Sequence, residues 1–315
     1  MKVIELAEPY DKSVIYPGKI VLALGFFDGV HRGHQAVILA AKEQAKRLNA
    51  KLAVMTFDRH PSVIFQRKDP ANLQYLTPLE EKLAHFKALG AELAYVVKFD
   101  EKLAHLAPQA FIDKYVVGLN AVGITAGQDY TYGPHELANM QNIAKYAKDR
   151  FEINCVALLE DGGKVGSTSI RAALDKGEVE RAEKYLGYPY ETTGIVVHGF
   201  ERGRKIGFPT LNIETSNDKR LPAPGVYAVE VKFNETKESF VGMASIGYNE
   251  TFGQDLAKTL EVNLFDFSDM VYGQKVTVSW KKYLRPMVKF ATVDELIAQL
   301  KLDKQATINY FEKIN

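Results

Sequence analysis

The chain has a single cysteine, Cys155, among 315 residues. One thiol allows neither an internal disulfide nor a thiolate metal cluster, which suits a reducing compartment. An excess of either charge is missing too: 40 Lys and Arg stand against 39 Asp and Glu, a formal net charge of +1. That balance removes the broad basic field of a protein held mainly by nucleic-acid phosphates. No apolar run approaches the ~18–20 residues needed to span a bilayer. The opening MKVIELAEPY carries Glu5 and Glu8 where a signal peptide would be apolar. No G-x-x-x-x-G-K-[ST] phosphate loop occurs, since Gly18-Lys19 is followed by Ile20 and lacks the upstream glycine. Internal repeats and low-complexity stretches are absent. These absences predict a soluble, cytoplasmic protein with no nucleic-acid or membrane partner; no self-association signature is visible, and the oligomeric state stays open. With 46% hydrophobic and 25% charged residues, the composition is that of ordinary globular domains. At about 150 residues per domain, the length predicts two.

The first half alternates two periods. Ile20 to Phe27 is a continuous apolar run, the pattern of a strand buried on both faces, and Val37, Ile38, Ala41, Ala45 and Leu48 then recur at helical spacing. Leu52 to Phe57, Ala94–Val97, Gly123–Ala126 and Ile153–Leu158 read as further buried strands. Helices are expected near 108–118 and 136–149, and another begins at Thr77-Pro78-Leu79-Glu80 with Thr77 as N-cap. Such alternation predicts an α/β, Rossmann-like domain with a parallel sheet. After Gly187 the pattern changes. Thr193–His198, Gly225–Lys232, Phe240–Ile246, Leu260–Phe267 and Lys275–Tyr283 are β-rich runs, and no long helix intervenes before residue 292. That predicts an all-β barrel or sandwich, closed by a helix with Val293, Leu296, Ile297 and Leu300 on one face. The expected domains are 1–186 and 187–315, joined by a short linker near Leu186–Thr192.

Two constellations carry chemistry. The first, Gly25-Phe26-Phe27-Asp28-Gly29-Val30-His31-Arg32-Gly33-His34, sits where a buried strand turns into a helix. Such a turn aims backbone N–H groups and the positive end of the helix dipole at one point, an anion site. Gly29 and Gly33 admit a close ligand, and His31 and His34 are spaced to face it together, each able to donate to a phosphate whose charge grows in a transition state. Gly25, Phe26, Asp28 and Gly33 are the expected nucleotide contacts around them. Later in the same half, Ser167, Thr168 and Arg171 of GSTSIR precede a helical segment, where hydroxyls and a guanidinium fork suit phosphate oxygens.

The second constellation is HGFERGRKIGFPTLN, residues 198–212. Gly199, Gly203 and Gly207 at regular spacing, with Arg202, Arg204 and Lys205, make a flexible cationic loop that can close over phosphates. Gly199, Arg202 and Gly207 are its expected nucleotide contacts. Thr210 and Asn212 alternate across one residue, so both oxygens point to one side of an extended segment, and they suit Mg²⁺. Glu261 lies on an alternating strand on which Asn263, Phe265 and Phe267 share its face; a carboxylate poorly solvated among aromatic rings suits a general base.

The HxGH string resembles the signature of nucleotidylyltransferases. In order, GFFDGVHRGH, TFDRHP, GQDYTYG, GSTSIR, HGFERGRKIGFPTLN, LEVNLFDF and LRPMVKF resemble the bacterial bifunctional riboflavin kinase/FMN adenylyltransferase family over nearly the whole chain. The resemblance implies a nucleotidyltransferase domain followed by a six-stranded riboflavin-kinase barrel. Its implied reactions are riboflavin and ATP to FMN and ADP, then FMN and ATP to FAD and pyrophosphate. It implies ATP-phosphate contacts at His31 and His34, a nucleotide contact at Asp129, and pyrophosphate binding by Ser167, Thr168 and Arg171. In the barrel it implies Mg²⁺ at Thr210 and Asn212, with Glu261 taking the proton of the ribityl hydroxyl. The chain departs from the family at Tyr130 and Tyr132 for two Phe, Gly166 for Ser, Leu211 for Ala, Asn263 for His and Met287 for Glu. Two other readings stay open: a riboflavin kinase with a weak or idle adenylyltransferase half, and a non-catalytic flavin or nucleotide sensor. A tRNA-handling role is set aside, because the charge is neutral and no lysine-rich KMSKS-like loop occurs.

Overall fold

A computed structural model describes residues 1–199, 202–248 and 258–314, excepting the side chains of Pro70, Arg202 and Ile314. The chain forms two compact units, Met1–Ser167 and Thr168–Asn315.

The first unit runs β1 (Lys2–Leu6), β2 (Ile20–Leu24), α1 (Arg32–Arg47), β3 (Lys51–Phe57), α2 (Ser62–Phe65), α3 (Leu79–Ala88), β4 (Leu93–Val97), α4 (Glu101–Ala104), α5 (Pro108–Tyr115), β5 (Ala121–Gly127), α6 (Ile143–Ala147) and β6 (Glu152–Val156). Its strands pair in parallel in the order β1-β4-β3-β2-β5-β6. All five residues of β2 are buried, because alternate side chains enter different cores: Ile20, Leu22 and Leu24 join one, Val21 and Ala23 the other. The chain goes from β2 to β3 on one side and returns to β5 on the other. That reversal opens a crevice at the carboxyl ends of β2 and β5, where open α/β sheets bind ligands. The loops after these strands carry Gly25–His34 and Asp129.

Four details differ from the sequence reading. β1 was not foreseen; it pairs with β4 from Lys2↔Leu93 to Leu6↔Val97. β6 is an edge strand with Ile153 exposed rather than a buried one. The helix expected over 136–149 shrinks to α6, because Asn139 and Asn142 spend their side chains on local backbone groups and hold turns before it. Thr77 does not cap α3, whose N-cap is Pro78 without a side-chain bond.

The second unit opens with α7 (Ser167–Leu174), whose first residue is the last of the first unit, and α8 (Val179–Leu186), then β7 (Tyr190–Val197), α9 (Arg202–Lys205), β8 (Leu211–Thr215), β9 (Gly225–Phe233), β10 (Ser239–Tyr248), β11 (Lys258–Leu264), β12 (Lys275–Arg285) and α10 (Val293–Ile314). The six strands close an antiparallel barrel in the order β10-β11-β8-β7-β12-β9, so the β-rich half is a barrel and not a sandwich. Alternation holds along β11: Leu260 and Val262 are buried and Glu261 faces the other way. It stops at Leu264. Phe265 and Asp266 form a turn in which Asp266 has φ 53°, so Phe265 and Phe267 do not share the face of Glu261. Phe267 packs instead on Phe233 and Phe240.

The helix α10 packs on β9, β10 and β12. Of the expected apolar stripe, Leu296, Ile297 and Leu300 are half-buried, and the helix's most buried side chains are polar. Val293 is exposed, while Asp303 and Thr307 are buried four residues apart. Asp303 accepts from Arg285 Nε at 2.9 Å and Nη2 at 2.7 Å and from Gln299 Nε2 at 2.9 Å, which satisfies a carboxylate that burial would otherwise penalise.

Candidate active sites

In the first unit the chain leaves β2 through a contorted turn. Phe27 has φ 58°, Gly29 φ 86° and Val30 φ 33°. A β-branched residue at positive φ is strained, and such strain persists only where neighbours over-determine it. Here the neighbours are Thr77 and Lys82. Thr77 N donates to Asp28 Oδ1 at 3.1 Å, and Gly29 N donates to Thr77 Oγ1 at 2.8 Å. Lys82 Nζ donates to the Phe26 carbonyl at 2.9 Å and to Thr56 Oγ1 at 3.3 Å, and it lies 3.9 Å from the centre of the Phe26 ring. Burial draws its ammonium down to about 8, resisted by Asp28 and Asp58.

His31 is the N-cap of α1, and His34 N donates to its Nδ1 at 3.3 Å. With Nδ1 accepting, the neutral ring carries its proton on Nε2, which is therefore a donor. The two imidazoles stack with centroids 3.5 Å apart, and the edge of His34 meets Phe27. Burial drives His31 down to about 4, with Asp129 pulling upward and Lys164 pushing further down. Burial likewise holds His34 well below the ordinary imidazole value, reinforced by His31 and Lys82. Both rings are neutral donors at neutral pH, and His34 Nδ1 is buried with no hydrogen-bond partner among the described residues. A buried orphan nitrogen at a helix N-terminus fits a ligand that supplies the missing partner.

Gly33 has no side chain to crowd the His31 ring, which lies 3.3 Å from where its Cβ would be. A Cβ on Gly25 would lie 2.8 Å from the tip of the buried Phe27 ring. Phe26 packs beneath Lys82, edge to face with His60, so its backbone rather than its ring belongs to the turn. Asp129, just past β5, binds Lys164 Nζ at 2.9 Å. Ser167 Oγ donates to the Asp28 carbonyl at 2.8 Å, joining the late phosphate string to the first turn. Thr168 is exposed and Arg171 half-buried; three residues apart, they share a face of α7 in the second unit. Tyr130 and Tyr132 enter a ladder of near-parallel rings continued by Phe111 and Tyr115, and burial pushes both of their hydroxyls up.

In the barrel, Asn212 and Glu261 are direct cross-strand partners on β8 and β11, so their side chains share a face. Thr210 joins them, its Oγ1 donating to Glu261 Oε2 at 3.3 Å. Asn263 Nδ2 donates to the Pro209 carbonyl at 2.6 Å and fixes the residue before Thr210. Val197 pairs with Asn212, and Gly199 follows two residues later. A Cβ at Gly199 would lie 1.9 Å from Asn212 Nδ2, so the amide occupies the space that glycine leaves. The expected flexible loop contains one helical turn, α9, closed by Phe208 N donating to Gly203 O at 2.9 Å and by Gly207 at φ 81°. The Arg202 side chain, with Phe200 and Glu201, lies outside the described residues. Among those residues, no three His, Cys, Asp or Glu gather as a metal site. Thr210 and Asn212 offer hard oxygens, and Mg²⁺ commonly takes few protein ligands and completes its shell with phosphates and water. The donor set therefore fits Mg²⁺.

Sequence reasoning missed Thr77, Lys82 and Lys164 and assigned Asn263 no role. Lys82 left one faint signal, since it falls four residues before Phe86 on the buried stripe of α3.

Two family models match in succession: FAD synthetase over residues 15–169 and riboflavin kinase over residues 186–311. The bifunctional riboflavin kinase/FMN adenylyltransferase of Listeria monocytogenes is 46% identical across 100% of this chain and 99% of its own. Those of Bacillus subtilis and Escherichia coli are 43% and 35% identical, covering 100% and 92% of this chain and 99% and 92% of theirs. The chain belongs to this bifunctional family. A solved structure of a macrolide-efflux protein from Streptococcus pneumoniae is also similar, with a TM-score of 0.90 and 36% identity over 98% of this chain and 99% of that one. Efflux describes that protein; among the described residues here, no helix is long and apolar enough to cross a membrane. The two family matches cover the two phosphate constellations in turn, with His31, His34 and Asp129 in the first match and Thr210, Asn212 and Glu261 in the second.

Proposed function

We propose that the barrel converts riboflavin and ATP to FMN and ADP, and that the parallel-sheet unit converts FMN and ATP to FAD and pyrophosphate. The observation that carries this reading is that each unit assembles its own phosphate-handling constellation, with different chemistry in each. On the barrel, Glu261 Oε2 accepts the proton of the ribityl hydroxyl, whose oxygen bonds to the γ-phosphorus of ATP while the bond to the bridging oxygen breaks and ADP leaves. Thr210 orients that carboxylate through its hydroxyl. Thr210 and Asn212 would hold Mg²⁺, which when bound neutralises phosphate charge. Gly199, Arg202 and Gly207 belong to the loop that covers the nucleotide.

On the parallel sheet, an FMN phosphate oxygen attacks the α-phosphorus of ATP and pyrophosphate departs. No proton needs to be taken from that nucleophile, which suits a site whose imidazoles are neutral donors rather than bases. His31 donates through Nε2, and His34 lies against it in the same crevice. Ser167, whose hydroxyl binds the Asp28 carbonyl, receives the leaving pyrophosphate, and Asp129 contacts the nucleotide.

The test is chromatographic separation of FMN from FAD after incubation with riboflavin, ATP and Mg²⁺. Glu261→Gln is expected to lower FMN formation by about 10²–10⁴-fold and to leave conversion of supplied FMN intact. His34→Ala is expected to do the reverse. Parallel loss of both activities in either folded variant refutes one site per unit, and unchanged riboflavin with the native chain refutes catalysis.

A further inference from the structure

One short segment, from Thr77 into α3, grips four consecutive residues of the histidine turn. Thr77 binds Asp28 and Gly29, Lys82 Nζ holds the Phe26 carbonyl at 2.9 Å, and Phe86 meets the Phe27 ring at right angles with centroids 5.5 Å apart. The Phe26 carbonyl belongs to the peptide that enters Phe27, the first residue of the turn at positive φ. The Phe27 ring stands perpendicular to His34 with centroids 5.2 Å apart, and His34 stacks on His31 at 3.5 Å. A hold on that carbonyl therefore reaches the imidazoles through a single intervening residue. The carbonyl accepts from two side chains, the charged Lys82 Nζ and the neutral Thr56 Oγ1, the latter at 2.8 Å.

We propose that Lys82 is a positioning residue for adenylyl transfer: its ammonium, in the charged form, fixes the Phe26 carbonyl and through Phe27 sets the place of the His34 ring. The inference rests on the reading of His31 and His34 as ATP-phosphate contacts. Lys82 is 2% exposed, and a charge taken that far from water is costly unless its bonds are good ones. The bonds it makes lie around the turn: the carbonyl, Thr56 Oγ1 at 3.3 Å and the face of Phe26 at 3.9 Å. An apolar side chain would fill the same space without that cost, so packing alone does not account for a charge here. A charged donor holds a carbonyl more strongly than a neutral one, and the strained backbone at Phe27 and Val30 needs such a hold. Once the proton is lost, the charge-assisted bond and the attraction to the ring go with it, and Phe27 can relax and carry its contact with His34 away. Asp28 in the turn and Asp58 just past β3 favour the charged form, Asp58 being itself held by Arg59 at 2.9 Å. His34 faces the ammonium from α1, and both imidazoles are already neutral where Lys82 titrates.

The experiment measures FAD formation from supplied FMN, and riboflavin phosphorylation, on the full chain from neutral to alkaline pH. With each rate taken as kcat/KM for ATP, the ratio of FAD formation to phosphorylation is expected to fall about tenfold between about pH 7 and pH 9, following an ammonium that titrates at about 8. Lys82→Met keeps the bulk and removes the charge. It is expected to lower kcat for FAD formation about 10²-fold, with KM for ATP within about threefold, as for a positioning group misplaced by about 1 Å. It should also flatten the ratio against pH and leave phosphorylation native. Thr56→Val takes the neutral donor from the same carbonyl and is expected to cost about threefold, the net worth of one neutral hydrogen bond, with the alkaline fall retained. A native ratio that does not change with pH overturns the proposal, and that measurement needs no variant to fold. Equal losses in Lys82→Met and Thr56→Val also overturn it, since charge would then play no part. So does a folded Lys82→Met that keeps the native kcat. His34→Ala keeps the two failures apart: FAD formation that survives it sinks the underlying reading, while an inactive His34→Ala beside a flat native ratio sinks the role of Lys82 alone.

Discussion

Replacing Gly199 with alanine adds one methyl group and displaces Asn212. The new Cβ would stand 1.9 Å from Asn212 Nδ2, 2.4 Å from its Cγ and 2.7 Å from its Oδ1. Non-bonded heavy atoms need about 3.5 Å, so the amide has to retreat by roughly 1.5 Å. The obstructed atoms are the end of a rotatable side chain, so an off-rotamer cost of about 1 kcal/mol limits the stability loss. Catalysis has no such tolerance, since a misplacement of about 1 Å in a positioning group commonly costs about 10²-fold in rate. Gly199→Ala should therefore cut riboflavin phosphorylation about 10²-fold, with Tm nearly unchanged and FAD formation from supplied FMN unaffected. Gly203→Ala is the contrasting control. Its Cβ would meet the Phe208 carbonyl oxygen at 2.2 Å, a backbone atom that cannot rotate away, so the barrel itself should lose stability. Initial rates at saturating riboflavin and Mg-ATP, together with thermal melts, read both effects. A Gly199→Ala kinase within twofold of the native rate would refute the placement of Asn212 in the reaction.

Asp303→Ala strands Arg285 on the barrel wall and leaves Gln299 without its acceptor. Breaking a buried pair from one side costs about 3–5 kcal/mol, and denaturant unfolding of the second unit should show it. In the first unit, His31 is 6% exposed and titrates near 4 instead of 6.5. Below pH 6.5 the unfolded chain takes up a proton that the folded one refuses, so stability falls as pH drops toward 4. At ~1.36 kcal/mol per pH unit, the full loss from this group is about 3 kcal/mol. Urea unfolding at several pH values should show this slope, and His31→Asn, which keeps a capping side chain, should flatten it. An unchanged acid slope in that variant would place the His31 ring in water.

How much of this was legible depends on the range of the interaction involved. β2, α1 and the histidine turn were readable because period, cap and dipole are local properties of a few consecutive residues. Thr210 and Asn212 were readable for the same reason, since alternation alone puts both on one side. Glu261 was correctly placed on a strand, but its expected aromatic setting was not found, because the turn at Asp266 ends the alternation. Thr77 carried a sound capping pattern, yet its hydroxyl found the Gly29 amide instead, a partner 48 residues away. Hydrophobic periodicity did not reveal the two most buried side chains of α10, a carboxylate and a hydroxyl.

The amino-acid order by itself therefore determined the two fold classes, the strand–helix turn that gathers the imidazoles, and the spacing of the threonine and asparagine oxygens, all set by repeats of two to four residues. Only the tertiary structure decided that Lys82 would brace that turn, that Asn263 would hold Pro209, and that Lys164 would stand beside Asp129. Each of those contacts joins segments far apart in the chain, and their meeting is fixed by sheet order and barrel closure rather than by any local preference.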